Sequence, residues 1–451
     1  MNNLIEKYNV PVPRYTSYPT VPNWDNEKFD KESYLIRLES GFSTANREGL
    51  SIYIHLPYCE SLCTYCGCNT RITVNHKVEK PYIDAVLREW ELVKMHFTGK
   101  PKIREIHLGG GTPTFFSADH LIRLIDGITK DSHVADEASF SFEAHPANTT
   151  YEHLEKLRRA GFDRLSLGIQ DFDLKVQKAI NRRQTTADVQ RVVTEARELG
   201  YRSINFDLIY GLPFQTPETT AKTVEEVLQM RPDRIAYYSY AHVPWMRPGQ
   251  RAYSESDLPG PKLKLELFMG GREQLLEGGY RAIGFDHFAL PEDQLYKAFS
   301  DGRMHRNFMG FSELKTPYQI GLGVSSISDI GNGFAQNAKA VEPYIEKVNR
   351  NEIPIVKGHL HTDSDSYIRK HILNLTCRLN TSWAYGSSEE QVYMRSRIRQ
   401  LKPLEADGLV QLKLDGLVVT EMGQHFIRQI CAVFDRDYIP AQTSKRYAQG
   451  I

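Results

Sequence analysis

Ser51-Ile52-Tyr53-Ile54-His55-Leu56-Pro57-Tyr58-Cys59 opens the pattern that decides the fold of this chain. Ser51–His55 is a short β-branched and aromatic run that reads as a strand. After it, Lys80–Phe97 repeats Tyr82, Val86, Trp90, Val93 and Phe97 at helical spacing, with Pro81 suited to a first turn. The pairing recurs down the chain, with strands predicted at Ile103–Leu108, Ser139–Ala144, Arg164–Ile169, Ser203–Ile209 and Arg234–Tyr240. Ser117 can cap a helix bearing Leu121, Leu124, Ile125 and Ile128. One helix ends at Arg159-Ala160-Gly161, and another runs Ala187–Leu199 before Gly200, both glycines suiting the position just past a helix end. Thr216-Pro217 opens a further helix that stops at Arg231-Pro232. Six βα units in series predict an α/β fold with a parallel sheet and right-handed crossovers. An incomplete TIM-like barrel and a doubly wound sheet both fit the pattern.

In either architecture the working face lies at the C-terminal ends of the strands. The cysteine loop follows strand one, Gly109-Gly110-Gly111-Thr112 follows strand two, and Glu143 ends strand three. Gln170 follows strand four, Asp207 lies near the end of strand five, and Ala241-His242 follow strand six. Special and polar residues therefore collect on one rim. From about 245 to 355 the pattern turns irregular and rich in Gly, Phe and His. The last ninety or so residues read as mainly helical, with a hairpin near Leu409–Val419 marked by Asp407-Gly408 and Asp415-Gly416.

The 451 residues are 41% hydrophobic and 25% charged, as in a soluble globular protein with room for a large α/β domain and a smaller one. Lys+Arg and Asp+Glu balance at 56 each, so no global field favours nucleic acid or an anionic membrane. MNNLIEKYNV has no basic run ahead of an apolar core, and no stretch approaches the about 18–20 apolar residues of a membrane span. A cytoplasmic protein without a membrane partner is expected. No heptad or long apolar stripe calls for an obligate partner, and a monomer is expected too.

Four of the six cysteines fall within ten positions: Cys59, Cys63, Cys66 and Cys68. A disulfide framework spreads its bridges over a small secreted domain, so this crowding in a large chain points to a metal site. Structural zinc takes paired Cys knuckles well separated in sequence, and no second knuckle is present. Thiolates are also the ligands of iron–sulfur clusters, and a short loop can wrap three corners of a cubane and leave the fourth iron open.

The Cys-x3-Cys-x2-Cys loop after a first strand, with Tyr65 just before its third cysteine, resembles the signature of the radical S-adenosylmethionine superfamily. The resemblance implies an incomplete (β/α)6 TIM-like barrel with a mainly helical C-terminal domain. It implies a [4Fe–4S] cluster on Cys59, Cys63 and Cys66 whose fourth iron chelates S-adenosylmethionine, with Tyr53, Tyr65, Gly110, Gly111, Thr112, Glu143, Gln170, Arg182, Asp207 and Ala241 as cofactor-contacting positions. Glycines allow close backbone approach to a ligand, carboxylates accept ribose hydroxyls or an ammonium, and Arg182 can grip a carboxylate in a bidentate fork.

Longer matches sharpen this to one family, the oxygen-independent coproporphyrinogen III oxidases. They include Pro13-Arg14-Tyr15-Thr16-Ser17-Tyr18-Pro19-Thr20, Ile209-Tyr210-Gly211-Leu212-Pro213, Asp286-His287-Phe288-Ala289 and His305-Arg306-Asn307-Phe308. Gly323-Val324-Ser325, Ala335-Gln336-Asn337 and Ile427-Arg428-Gln429-Ile430-Cys431 with Phe434-Asp435 also fit, so the resemblance covers nearly the whole chain. Related haem chaperone-like proteins typically carry phenylalanine where Cys68 stands and lack the Arg14–Thr20 opening. Glu143-Ala144-His145-Pro146 and Trp245-Met246 depart from the family pattern.

The family implies oxidative decarboxylation of two propionates of coproporphyrinogen III to vinyl groups, giving protoporphyrinogen IX in haem biosynthesis. It further implies two S-adenosylmethionines, with Ile327 against the second, and a reduced donor of flavodoxin or ferredoxin type. A substrate with four carboxylates on an apolar ring calls for Arg or Lys forks over an aromatic floor. Arg14 and Arg306 are the candidates, with His287 and His305 beside them; Cys68 receives no role. The expected division is residues 1–50 as a segment contributing to the substrate site, 51–245 as the barrel core, 246–358 as its extension and 359–451 as a helical cover. A hairpin between helices at 390–435 could also pass for a DNA-reading wing, but Glu405, Asp407, Asp415 and Glu421 make that stretch acidic and favour a lid.

Overall fold

The computed structural model describes residues 2–439, apart from Asn26 and Tyr385, together with Tyr447. β1 (Leu50–Leu56), β2 (Lys102–Gly110), β3 (His133–Ala144), β4 (Phe162–Gln170), β5 (Ser203–Tyr210) and β6 (Arg234–Ser239) are parallel neighbours in that order. Because spatial order repeats chain order, right-handed crossovers put every connecting helix on one face. A doubly wound sheet would reverse direction and cover both faces. The fold is therefore the open, TIM-like barrel.

Local chemistry sets the helices. Ser117 accepts from His120 N at the start of Ala118–Thr129, and Thr216 caps Pro217–Met230 by accepting from Thr219 N. Gly161 and Gly200 take φ of +97° and +81° where helices end. The apolar faces of these helices and the outward side chains of the strands make the main core, with Trp90, Phe116, Phe142, Phe162 and Phe206 fully buried.

The sheet does not stop at six strands. β7 (Arg281–Ile283) and β8 (His287–Ala289) continue it antiparallel beyond β6. On the other side β9 (Tyr318–Leu322) lies parallel to β1 and carries β10 (Ile327–Asp329), β11 (Gly333–Asn337) and β12 (Ile355–Leu360) antiparallel. The stretch expected to be irregular, 245–355, thus supplies five strands of the sheet, β7 to β11, and the helix Pro261–Glu277. Its strands are short or buried on both faces, so they show no alternation.

Facing the lumen, alternate residues of the parallel strands are polar. At the lower end Arg164 donates to Glu313 at 2.9 Å and to Glu105 at 3.3 Å, while Arg234 donates to Glu313 at 3.0 Å and to Asp293 at 2.7 Å. Glu313 comes from the segment before β9, so this network ties that segment to β2, β4 and β6.

A second core joins the C-terminal helices Asp363–Arg378, Ser388–Ala406 and Ile427–Phe434. Between them a three-stranded antiparallel sheet of Asn380–Ser382, Gly416–Val419 and Val410–Lys413 includes the expected hairpin. Val12, Tyr15 and Tyr18 belong to this core, and Tyr15 donates to Asp435 at 3.0 Å. The N-terminal segment is thus fastened to the C-terminal unit.

Candidate active site at the barrel mouth

The cysteine loop leaves the top of β1 and is held from three sides. Arg71 N and Thr73 N donate back to Pro57 O and Cys59 O at 2.8 and 2.9 Å. Thr64 donates through N and Oγ1 to Ile180 O and Ala179 O, each at 3.0 Å. Arg247 donates to Gly67 O, and Asn69 Nδ2 to Lys339 O at 2.9 Å. Gln250 Nε2 bonds both Tyr65 O and Ala241 O at 3.1 Å, which ties two predicted site residues together.

The glycine run is as tight as a close approach requires. A β-carbon on Gly109 would stand 3.0 Å from Glu143 Oε1, one on Gly110 2.8 Å from the His55 ring, and one on Gly111 2.6 Å from Pro57 O. Thr112 places its hydroxyl 3.3 Å from Cys59 Sγ. Across the mouth, Arg182 Nη1 stands 3.8 Å from Cys63 Sγ, and Arg182 also donates to Gly168 O. Cys68 N donates to Cys66 Sγ at 3.4 Å, whereas the Cys68 residue itself is exposed.

Burial pushes the Cys59 thiol up to about 11 and raises Cys63 against the opposing pull of Arg182; the Cys68 hydrogen bond brings Cys66 down to about 6. Among the described residues no three Cys, His, Asp or Glu side chains stand close enough to hold a single metal ion. Three thiols on one loop, each backed by a different partner, fit separate corners of a cubane. Beside them the buried Gln170 Oε1 and Arg182 Nε have no hydrogen-bond partner among the described residues, as atoms reserved for a ligand would.

Below the loop is a cavity of about 230 Å³ whose lining includes His107, Glu143, Asn205, Asp207, Tyr238 and His287. Glu143 accepts from Gly110 N at 3.2 Å and lies 3.5 Å from His107 Nε2. Burial would raise its carboxyl, yet these contacts hold it below its ordinary value. Asp207 accepts from Ser166 at 3.1 Å and from Asn205 at 2.9 Å; burial, then the Glu143 charge, lifts it to about 6. Tyr53 stacks on His107 with ring centroids 6.0 Å apart. Ile327 lies two strands from Tyr53: Tyr53 pairs with Gly321, and a β-carbon there would meet Ile327 O at 2.6 Å.

The substrate candidates occupy the opposite side. Arg14 donates to Ser239 O at 3.0 Å, at the end of β6. Arg306 is buried between Phe285 and Phe311, 5.0 and 4.4 Å from their ring centroids, with Nε and Nη1 unpartnered among the described residues. His287 faces the cavity and bonds Asp286 at 2.6 Å. His305 is half-buried in the neighbouring hairpin, and desolvation lowers it to about 4. Sequence reasoning passed over His107, Asn205 and Tyr238, although the period of two that points Glu143 and Asp207 inward also selects them.

A model of the Radical SAM superfamily matches residues 53–227. The oxygen-independent coproporphyrinogen III oxidase of Pseudomonas aeruginosa is 39% identical over 100% of this chain and 98% of its own length. That of Escherichia coli K12 is 36% identical over 96% and 94%. A solved structure of the Escherichia coli coproporphyrinogen III oxidase, described as a radical SAM enzyme, superposes with a TM-score of 0.89 at 33% identity, covering 97% of this chain and 99% of that one. Full-length identity at this level joins the thiol loop and the glycine run in one conclusion: the chain belongs to the oxygen-independent coproporphyrinogen III oxidase family of radical S-adenosylmethionine enzymes.

Proposed function

We propose that the barrel mouth is the active centre for the reaction of this family, in which two propionates of coproporphyrinogen III become vinyl groups and protoporphyrinogen IX is formed. The observation that carries this reading is the meeting of three loop thiols, the Gly109–Gly111 run and the half-satisfied Arg182 at one strand-end rim. Cys59, Cys63 and Cys66 hold a [4Fe–4S] cluster. When bound, that cluster and S-adenosylmethionine supply a 5′-deoxyadenosyl radical able to take hydrogen from a propionate carbon.

The chain's residues bind and orient. Gly110, Gly111 and Thr112 offer backbone to the methionine part, Arg182 and Gln170 offer their unused atoms to its polar groups, and Glu143 accepts ribose or ammonium protons. Asp207 supplements Glu143 from the next strands, while Tyr53, Tyr65 and Ala241 close the walls and exclude water. Ile327 sides a second S-adenosylmethionine. Arg14 and Arg306 hold substrate carboxylates, and residues 1–50 and 359–451 cover the 51–245 core with its 246–358 extension. The chain works as a cytoplasmic monomer reduced by a flavodoxin- or ferredoxin-type donor.

The test is an anaerobic assay of the iron-reconstituted chain with dithionite, S-adenosylmethionine and coproporphyrinogen III. Protoporphyrinogen, preceded by the mono-vinyl intermediate, is expected beside 5′-deoxyadenosine. Deoxyadenosine without decarboxylation would keep the radical chemistry and remove the substrate.

A further inference from the structure

The cysteine loop is clamped between two segments from distant parts of the chain. Thr64 reaches Ala179 O and Ile180 O, and Asn181 Nδ2 donates to Leu62 O at 2.8 Å, so the short helix Leu174–Ala179 and the residues after it lie against the loop. The turn after β6 lies against it too: Arg247 donates to Gly67 O, and a β-carbon on Gly249 would stand 3.4 Å from Leu62 Cδ2. Val176, Ile180, Leu212, Tyr240 and Tyr253 form a small core that joins the two segments, with Tyr65 of the loop packed on it. The loop that carries the cluster thiols is thus the middle of a three-part surface.

Each part shows large apolar side chains to solvent. Leu62 and Trp245 are exposed, Leu174 is 80% exposed and Met246 59%. Trp245-Met246 is also a stretch that departs from the family pattern. The charge around them is of one sign. Residues 174–183 hold Lys175, Lys178, Arg182 and Arg183, and residues 243–252 hold Arg247 and Arg251, with no Asp or Glu in either, in a chain whose charges balance at 56 each. Lys175, Lys178, Arg183 and Arg251 are exposed. The loop's own carboxylate, Glu60, accepts from Asn148 at 2.9 Å, and the flanking Asp173 and Asp257 accept from backbone N–H groups. Exposed apolar side chains, Trp and Met among them, within a charged rim mark a surface that another protein covers.

We infer that this face docks the reduced donor, an acidic one-electron carrier protein, an assignment that rests on the function proposed above. Such carriers hold small interfaces, below about 1,200 Å², and find them by charge. A cationic face suits an acidic partner, whereas two copies of it would repel, which disfavours a second copy of this chain. Cys63 and Cys66 are only half-buried, so a carrier seated on Leu62 and Gly67 comes beside the ligand thiols. One electron leaves the carrier for the cluster on Cys59, Cys63 and Cys66. The carrier is oxidised by one electron, the cluster is reduced by one, and no bond is made or broken in the transfer.

Purified flavodoxin, an acidic carrier, is the probe, and the double variant Lys175→Glu, Lys178→Glu reverses two exposed charges of the face. Oxidised flavodoxin titrated calorimetrically into the iron-reconstituted chain should bind the double variant about tenfold more weakly than the wild type, and the wild type more weakly as salt rises. Deoxyadenosine formation driven by flavodoxin, its reductase and NADPH should fall with binding, while the rate with dithionite stays as in the wild type. Equal flavodoxin affinity for both proteins, or a wild type that dithionite reduces but flavodoxin does not bind, would overturn the face alone. A wild-type dimer in sedimentation that flavodoxin fails to displace would give the face to a second copy and overturn it likewise. A wild type that makes no deoxyadenosine even with dithionite would overturn the proposed function instead. If the double variant also loses the dithionite rate, Arg251→Glu decides by binding: weaker than wild type supports the face, and equal to it overturns it.

Discussion

Gly110 lies against His55 so closely that a β-carbon on it would stand 2.8 Å from the imidazole. That ring bridges Tyr53 OH at 3.0 Å and Asn69 O at 2.8 Å, fixing the top of β1 to the far end of the cysteine loop. At φ +115° Gly110 also occupies a conformation that L side chains rarely adopt. Gly110→Ala must push His55 away and release Asn69. The expected loss is about 1–3 kcal/mol in urea unfolding, together with a reduced iron content after anaerobic reconstitution. Wild-type iron loading in a destabilised variant would show that the approach serves the fold and not the loop.

Cys66 and Cys68 should separate cleanly on substitution. Cys68 reaches Cys66 Sγ through its backbone N at 3.4 Å and through its side chain, and a serine hydroxyl can take over the second contact. Cys68→Ser is expected to keep the full iron load and the visible absorption of the cluster. Cys59→Ser, Cys63→Ser and Cys66→Ser should each lose both. An iron-poor Cys68→Ser protein would make Cys68 a ligand.

Much of this was legible in the sequence because the six βα units obey simple periods. The C-terminal ends of the six strands, the Ser117 cap and Thr216-Pro217 all stand within one or two residues of their predicted places, while β3 begins at His133, six residues ahead of the predicted Ser139. The rim followed from those units, since a strand's end fixes where the next residues emerge. The helix Pro261–Glu277 escaped because Gly270-Gly271 interrupts it. Gly271 is required there, as a β-carbon would meet Tyr237 OH at 2.7 Å, a tertiary contact that helix propensity does not register. Strands β9 and β11 escaped because all their residues are buried, leaving no polar face to mark a period. Glu313 escaped for another reason: its partners Arg164 and Arg234 lie 149 and 79 residues away, and only barrel curvature unites them.

That network predicts how the fold responds to acid. Glu313 is buried between two arginines, and although burial alone would raise it, Arg164 and Arg234 hold its carboxyl down from 4.5 to about 2. A carboxyl lowered on folding adds stability that is present above its unfolded pKa and is lost as pH falls through its folded one. The stability gap between wild type and Glu313→Gln should therefore be full above about pH 5 and close on the way down to about pH 2. At neutral pH the variant should be less stable by about 3–5 kcal/mol, since it leaves two buried guanidiniums short of an anion. Urea unfolding of both proteins across this range measures the gap; one that stays constant with pH would mean that Glu313 titrates as an ordinary carboxyl.

Arg306 should behave in the opposite sense. The residue is 6% exposed, packs its guanidinium on Phe285 and Phe311, and leaves Nε and Nη1 without partners among the described residues. The aromatic faces and the charge of Asp286 offset part of the desolvation, but two unmade hydrogen bonds in a buried site remain costly. A residue kept for the fold would not stand so. Arg306→Leu fills the same aromatic slot and removes the unpaired donors, so thermal and urea unfolding should show stability unchanged or raised by about 1–3 kcal/mol. Coproporphyrin III binding should meanwhile weaken by about tenfold or more, because a substrate carboxylate would have completed the fork. Stability and affinity moving apart is the signature of a binding group. If both fell together, Arg306 would be a structural cation whose charge the Phe285–Phe311 slot requires.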